Sequence, residues 1–306
     1  MKQFEFNYSK KFYCIADKCN HNCCKGWQII VDKKTASKYL QLIQSDQRFK
    51  NCLDGQFFKM NDGNCPFLDN DNLCHVIKNY GEKCLSKTCK THPRFKSFFN
   101  GITETGLGLY CEQAGKIILS FKPKMKTVLV KDDFKSAKLS SFERKVFSFR
   151  KKALSIAQDR RFSIEKKLLL LTELSNVDLN KNSFNKWLEI FKKLNKLKIN
   201  EFSFDKLAPA KEFAPVLSGF EREYEQLLSY LIFRHISRAI DMLDLKVRLA
   251  FIVLSFKMIN NIFALSQTKS FENLVEVCRF YSSEIETNDD NIYCLLNEIE
   301  NLISFI

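Results

Sequence analysis

The stretch SSFERKVFSFRKKAL, residues 140–154, sets Phe142, Val146, Phe149 and Ala153 four, three and four residues apart, with Glu143, Arg144, Lys145, Lys151 and Lys152 between them. That spacing follows the 3.6-residue turn of an α-helix, so one face is apolar and the other charged. The same period recurs over residues 164–174, 187–197, 220–243, 246–265 and 271–287, with Pro209 and Pro215 as punctuation. Strict two-residue alternation is scarce. The expected fold class is therefore mainly α, and the 29 phenylalanines, scattered at helical steps, read as core packing.

Upstream of this helix the composition changes. Ten of the 12 cysteines lie within residues 1–111, and eight of the nine glycines within residues 1–115. Asp62-Gly63-Asn64 and Asn70-Asp71-Asn72 mark turns between short elements, as in a chain whose path is fixed by ligands more than by a large core. Two segments are expected: an irregular cysteine-rich metal-cluster module over residues 1–115, and an amphipathic helical region over residues 116–306.

The chain of 306 residues is long enough to bury a core without disulfide staples. Its formal charge of +14 is concentrated: residues 116–170 carry 16 Lys and Arg against 5 Asp and Glu, whereas residues 171–306 carry 16 against 19. This belt, from Lys122, Lys124, Lys126 and Lys131 to Arg150, Arg160 and Arg161, reads as a solvated helix face, a nucleic-acid surface or a dock for an acidic protein. Lys246, Arg248 and Lys257 interrupt the most apolar run, which excludes a membrane span of about 20 residues. Lysines among the first 15 residues and the lack of a small-residue cleavage site argue against an export signal. A cytoplasmic location is expected, where thiols are free to take metal.

The first cysteine group is Cys14, Cys19, Cys23 and Cys24, followed by Lys25-Gly26-Trp27. The second is Cys65, Cys74 and Cys89, and Cys111-Glu112 closes the set. Soft thiolates gathered in this way select zinc or an iron–sulfur cluster over hard cations. Paired C-x2-C knuckles are absent, and Gly26 stands where a radical-enzyme C-x3-C-x2-C would need its third cysteine. Eight candidate ligands exceed the four that one cluster needs, so there are either two sites or some supporting thiols. Cys52, Cys84, Cys278 and Cys294 read as buried core cysteines.

The opening Cys14…Cys19…Cys23-Cys24-Lys25-Gly26-Trp27-Gln28, and the block Cys65-Pro66-Phe67-Leu68-Asp69…Cys74…Gly81-Glu82…Thr88-Cys89…Pro93-Arg94, resemble the flagellin lysine-N-methylase family. A broader family of zinc- or iron-chelating proteins shares a shorter form of this frame, and residues 230–235 look similar to the family as well. Lys90 and His92 stand where the family has Arg and Tyr, and Cys111-Glu112-Gln113-Ala114 where it has Cys-Pro-Glu-Ala. The resemblance implies a protein-lysine N-methyltransferase with S-adenosylmethionine as methyl donor, flagellin as substrate and an iron–sulfur cluster, 4Fe-4S, with zinc as the alternative. The rival reading is a non-catalytic metal or redox module that binds an acidic partner or nucleic acid.

No G-x-G-x-x-G turn is present, so a Rossmann-type donor site is disfavoured. Methyl transfer to lysine needs a neutral amine aligned with the methyl group. Glu112, Asp32 and Tyr80 are candidate helpers, each also readable as a cap, turn or packing residue. Trp27 and Tyr39 are candidates for a cation–π wall or for core. His235 reads as an interior histidine.

Overall fold

The computed structural model describes residues 1–133, 138–197 and 203–303. The fold is mainly α. Chain order runs β1 (Lys2–Phe6), α1 (Lys33–Leu42), β2 (Leu53–Asp54), β3 (Phe57–Phe58), α2 (His75–Tyr80), α3 (Lys87–Thr91), β4 (Arg94–Phe99), β5 (Ile102–Leu107), α4 (Glu112–Leu119) and β6 (Thr127–Asp132). Seven longer helices follow: α5 (Ser141–Ala157), α6 (Ile164–Ser175), α7 (Phe184–Lys193), α8 (Glu221–Ile236), α9 (Met242–Leu265), α10 (Phe271–Tyr281) and α11 (Asp289–Glu300).

Local chemistry fixes where these helices start. The Ser140 hydroxyl accepts from the Glu143 amide while the Glu143 carboxylate accepts from the Ser140 amide, a reciprocal cap that opens α5. Ser163, Ser183, Asp241, Ser270 and Asn288 cap α6, α7, α9, α10 and α11 in the same one-sided way. The apolar run at residues 220–243 is broken: α8 stops at Ile236, and the Asp241 cap restarts the chain as α9. A π-helical turn, Ser282–Glu286, extends α10.

α9 is buried nearly all round, from Leu245 to Phe263, and forms the centre of the main core with α8. Each large apolar side chain buried in this way contributes about 1.5–3 kcal/mol relative to exposure. Of the α5 stripe, Val146 and Ala153 are buried, and Phe142 and Phe149 pack at the edge of that core.

A four-stranded sheet, which the helical pattern of the sequence does not announce, has the order β4-β5-β1-β6. β4 and β5 form a hairpin turning at Gly101; β1 runs parallel to β5 and antiparallel to β6. Phe6 and Phe95 reach from the sheet to the rings of Phe233 and Tyr230 on α8. A Cβ at Gly106 would stand 2.4 Å from the Phe95 ring and 2.5 Å from the Phe6 ring, so this close stacking requires glycine.

Packing divides the chain on a different line from composition. Phe6, Tyr8, Phe95, Leu107, Leu109, Ala114 and Ile118 belong to the main core. A second, smaller core holds Ile29, Val31, Tyr39, Phe49, Cys52, Phe58, Cys65, Phe67, Val76 and Cys84. Among the described residues no helix is long and apolar enough to cross a membrane.

Candidate metal centre and its surroundings

All 12 cysteines are free thiols. The segment bearing Cys19, Cys23 and Cys24 is irregular and is held by its neighbours. The Cys65 amide donates to the Cys24 carbonyl at 2.8 Å and the Gly26 amide to the Gly63 carbonyl at 2.7 Å, with the Asp62-Gly63 turn supplying positive φ. The Glu112 carboxylate accepts from the Asn20 amide at 2.9 Å, from the Cys19 thiol at 3.6 Å and from Lys116 at 2.7 Å. His21 Nε2 meets Glu276 on α10 at 2.6 Å.

Cys23 is an electrostatic neighbour of Cys24, Cys74, Cys89 and Cys111, and Cys24 of Cys65 and Cys74. Cys111 in addition neighbours Cys14 and Cys19. Thus the fold brings all eight cysteines singled out by spacing into one connected neighbourhood. Cys52 and Cys84 lie in the smaller core and Cys278 in the main core, as expected, but Cys294, expected in a core as well, is exposed on the outer face of α11.

Burial and neighbouring charge raise the Cys19, Cys23, Cys24, Cys74, Cys89 and Cys111 thiols. Burial pushes Cys89 and Cys111 up to about 11, and burial with the nearby Glu112 carboxylate takes Cys19 up to about 12. Cys23 rises because of its bond to Cys24, with burial adding to it. Opposing this, the Gln113 and Ala114 amides face the Cys111 sulfur, and the Val76 and Ile77 amides face Cys74. Without a cation such a group stays protonated; a bound metal would reverse the balance. The donor chemistry suits a soft metal. Among the described residues, no three His, Cys, Asp or Glu side chains stand at the separations that hold a single ion.

The proposed helpers separate by position. Asp32 caps α1 and accepts from the Thr35 hydroxyl at 2.8 Å and the Lys87 amide at 2.8 Å. Tyr80 donates to Asp46 at 3.2 Å and packs on Phe49. Glu112 anchors the Cys19 segment, as described. Tyr39 is buried in the smaller core with its hydroxyl on the Cys84 carbonyl, so it forms no wall with Trp27. Trp27 is 36% exposed, and its Nε1 donates to the Cys23 carbonyl at 2.8 Å. His92 lies between Trp27 and Tyr110, with ring centroids 6.3 and 5.5 Å away, and burial lowers its pKa to about 4.

His235 is fully buried, its Nε2 2.7 Å from Glu286 and its Nδ1 without a partner. Sequence reasoning passed over Glu286, which lies in the π turn and also accepts from Tyr230 at 2.8 Å.

The basic belt is partly neutralised at close range. Arg150 pairs with Glu104, Arg160 with Glu225, Arg161 with Asp159 and Lys131 with Asp133. An open groove lined by Lys124, Ser155, Gln158, Asp159, Arg160 and Arg161 crosses it.

Among known proteins, the chain is 36% identical over 121 residues to the flagellar biosynthetic protein FliU of Salmonella muenchen, a match covering 36% of this chain and 72% of that protein. It is 32% identical over 153 residues to a lysine-N-methylase of Salmonella typhimurium, covering 45% of this chain and 38% of the relative. A lysine-N-methylase of Salmonella choleraesuis matches at 32% over 152 residues. The chain belongs to the flagellin lysine-N-methylase family. Within that family it spans about two-fifths of the length of the curated lysine-N-methylases, a match of 38%. No family profile and no solved structure matches it.

Proposed function

We propose that the chain is a protein-lysine N-methyltransferase that uses S-adenosylmethionine to methylate flagellin in the cytoplasm. The likeness to FliU and to the lysine-N-methylases carries this reading. The linked set of thiols, with Cys23 and Cys111 joining its members, supports a metal–sulfur centre as part of it. Cys14, Cys19, Cys23, Cys24, Cys65, Cys74, Cys89 and Cys111 are the residues that would hold an iron–sulfur cluster, or zinc in its place, and the thiols outside the ligand set would support it. When bound, such a group supplies positive charge that keeps the thiols deprotonated.

The reaction requires the lysine amine to lose its proton and its lone pair to attack the sulfonium methyl group. The N–C bond forms as the S–C bond breaks, and S-adenosylhomocysteine leaves. The chain contributes the aromatic surface of Trp27, His92 and Tyr110 beside the thiols. Ring faces of this kind attract a sulfonium or a lysine ammonium. Partial burial lowers the His92 pKa to about 4, so its imidazole is neutral at physiological pH. The direct experiment is incubation of anaerobically purified protein with flagellin and methyl-labelled S-adenosylmethionine. Label on flagellin lysines is expected. Metal-loaded protein that transfers none, to flagellin from its own organism, removes the reading.

A further inference from the structure

Arg234 occupies the last turn of α8, at the end of the Trp27–His92–Tyr110 strip. Its guanidinium lies 4.3 Å from the centroid of the Phe95 ring and is an electrostatic neighbour of Tyr110. One hydrogen bond uses it, from Nη2 to the Glu286 carbonyl at 3.3 Å, and its Nε is buried with no partner. Two buried arginines are forked onto carboxylates, Arg150 onto Glu104 and Arg279 onto Glu276, whereas Arg248 pairs with Asp244 through Nε and leaves Nη1 buried without a partner.

Glu286 supplies charge for Arg234 without spending its donors. The carboxylate oxygens of Glu286 are occupied by Tyr230, His235 and Ser282. Tyr230 is fixed in turn, since its oxygen accepts from the Leu109 amide at 3.2 Å, one residue before Tyr110. A Cβ at Gly108 would stand 2.1 Å from the Tyr110 ring, so glycine is what lets that ring fold back over its own backbone. The result is a guanidinium near Tyr110 that is charge-balanced by Glu286 while its Nε has no partner. Buried polar groups without partners are rare enough to call for a reason, and a guanidinium fork matches a carboxylate in two parallel bonds.

We propose that Arg234 receives the carboxylate of an amino-acid-bearing ligand whose body lies along Trp27, His92 and Tyr110. This rests on the transfer proposed above for the identity of the ligand, which is then the methyl donor: its carboxylate meets Arg234 and its sulfonium meets the ring faces beside the thiols.

Calorimetric titration of the anaerobically purified full chain tests this with S-adenosylhomocysteine, which keeps the carboxylate, and 5′-methylthioadenosine, which lacks it. Unmutated protein should bind the first at least about 10-fold more tightly, as expected for charge-assisted hydrogen bonds. Arg234→Gln should erase that preference and leave 5′-methylthioadenosine binding unchanged, with Arg234→Lys intermediate. Equal affinity for the two ligands in unmutated protein overturns the inference even if neither variant folds. Folded Arg234→Gln that retains the preference overturns it too.

If unmutated protein binds neither adenosyl ligand, the donor reading of the proposed function has failed. The carboxylate site is then judged by L-methionine alone. A change in the fluorescence of Trp187→Phe protein, whose remaining tryptophan is Trp27, that is lost in Arg234→Gln and weakened in Arg234→Lys supports the site, and no change without the Arg234 substitution removes it.

Discussion

Replacing Arg150 by methionine should cost the protein about 3–5 kcal/mol, the usual penalty for removing one partner of a buried ion pair. Arg150 and Glu104 are each 4% exposed. The guanidinium donates to both Glu104 oxygens, at 2.5 and 2.7 Å, and to the Ser237 hydroxyl at 2.6 Å. It also lies against Phe147 and Phe233, with centroids 4.8 and 4.9 Å away. Methionine keeps an apolar stem for those rings and leaves the Glu104 carboxylate buried without its guanidinium. Much of the cost is that stranded charge, so the double variant Glu104→Leu with Arg150→Met should return to within about 1 kcal/mol of the parent.

Urea unfolding followed by circular dichroism measures this. With a slope of about 3 kcal/mol per molar, the single variant should shift the midpoint down by about 1–2 M. Glu104 is on β5, whose end leads directly to Tyr110 and Cys111. Amide exchange of residues 107–111 should therefore accelerate in the single variant. A single-variant loss below 1 kcal/mol, or a double variant as weak as the single one, would refute the reasoning.

Cys23→Ser should lose most of the bound metal of the anaerobically purified protein while Cys278→Ser keeps it, as read by iron, zinc and sulfide content; equal loss in both contradicts the assigned neighbourhood. For Glu276, burial raises the pKa, but Arg279 and His21 outweigh it and hold the group at about 2. The folded value is depressed, so its stabilisation is present above the ordinary carboxylate pKa and is lost as pH falls from about 4.5 towards 2. Glu276→Gln should thus melt below the parent at pH 7, with the gap narrowing on acidification; a widening gap would reverse the sign argued here. Lys151 and Lys152 are exposed on α5, and reversing both to glutamate should slow labelling of flagellin at low salt and matter less at 0.5 M, where charges are screened beyond about 4 Å. An unchanged rate at low salt would remove the belt from substrate docking.

The helical half was legible because its signals are local. Ser140 and Glu143 sit three residues apart, and the apolar stripe of α5 repeats every turn. The sheet was not, because β1 is five residues long and pairs with β5 across the whole cysteine region. Neither KQFEF nor ITETGL is decisive without knowing its partner. At the candidate site, thiol chemistry and crowding single out Cys14 to Cys111 without any tertiary information. The Arg234–Glu286 arrangement has no such trace. His235 and Glu286 are 51 residues apart, and only the π turn after α10 carries that carboxylate inward. Tyr39 and Trp27 look alike as aromatic candidates in sequence; one fills the smaller core and the other borders the thiols.

The compositional break at Gly115 falls inside a packed helix, and this bears on how the cysteines and the helices act together. α4 starts at Cys111, and its first amides face that sulfur. One turn of the same helix presents Glu112 to the Cys19 segment, while Ala114, Ile118 and Leu119 are buried in the main core. A Cβ on Gly115 would come within 3.2 Å of Val275 on α10, and α10 also carries Glu276 to His21. Metal at the thiols would therefore draw on two helices already fixed by the core, reducing the entropy lost in gathering ligands from an irregular segment. The same contacts run outward: the cysteine segment meets α4 through Glu112 and α10 through Glu276. The chain just before α4 carries Leu109, whose amide bonds to Tyr230, itself bonded to Glu286. The thiols and the Arg234 corner are in this way two ends of one packed unit, with α4 between them.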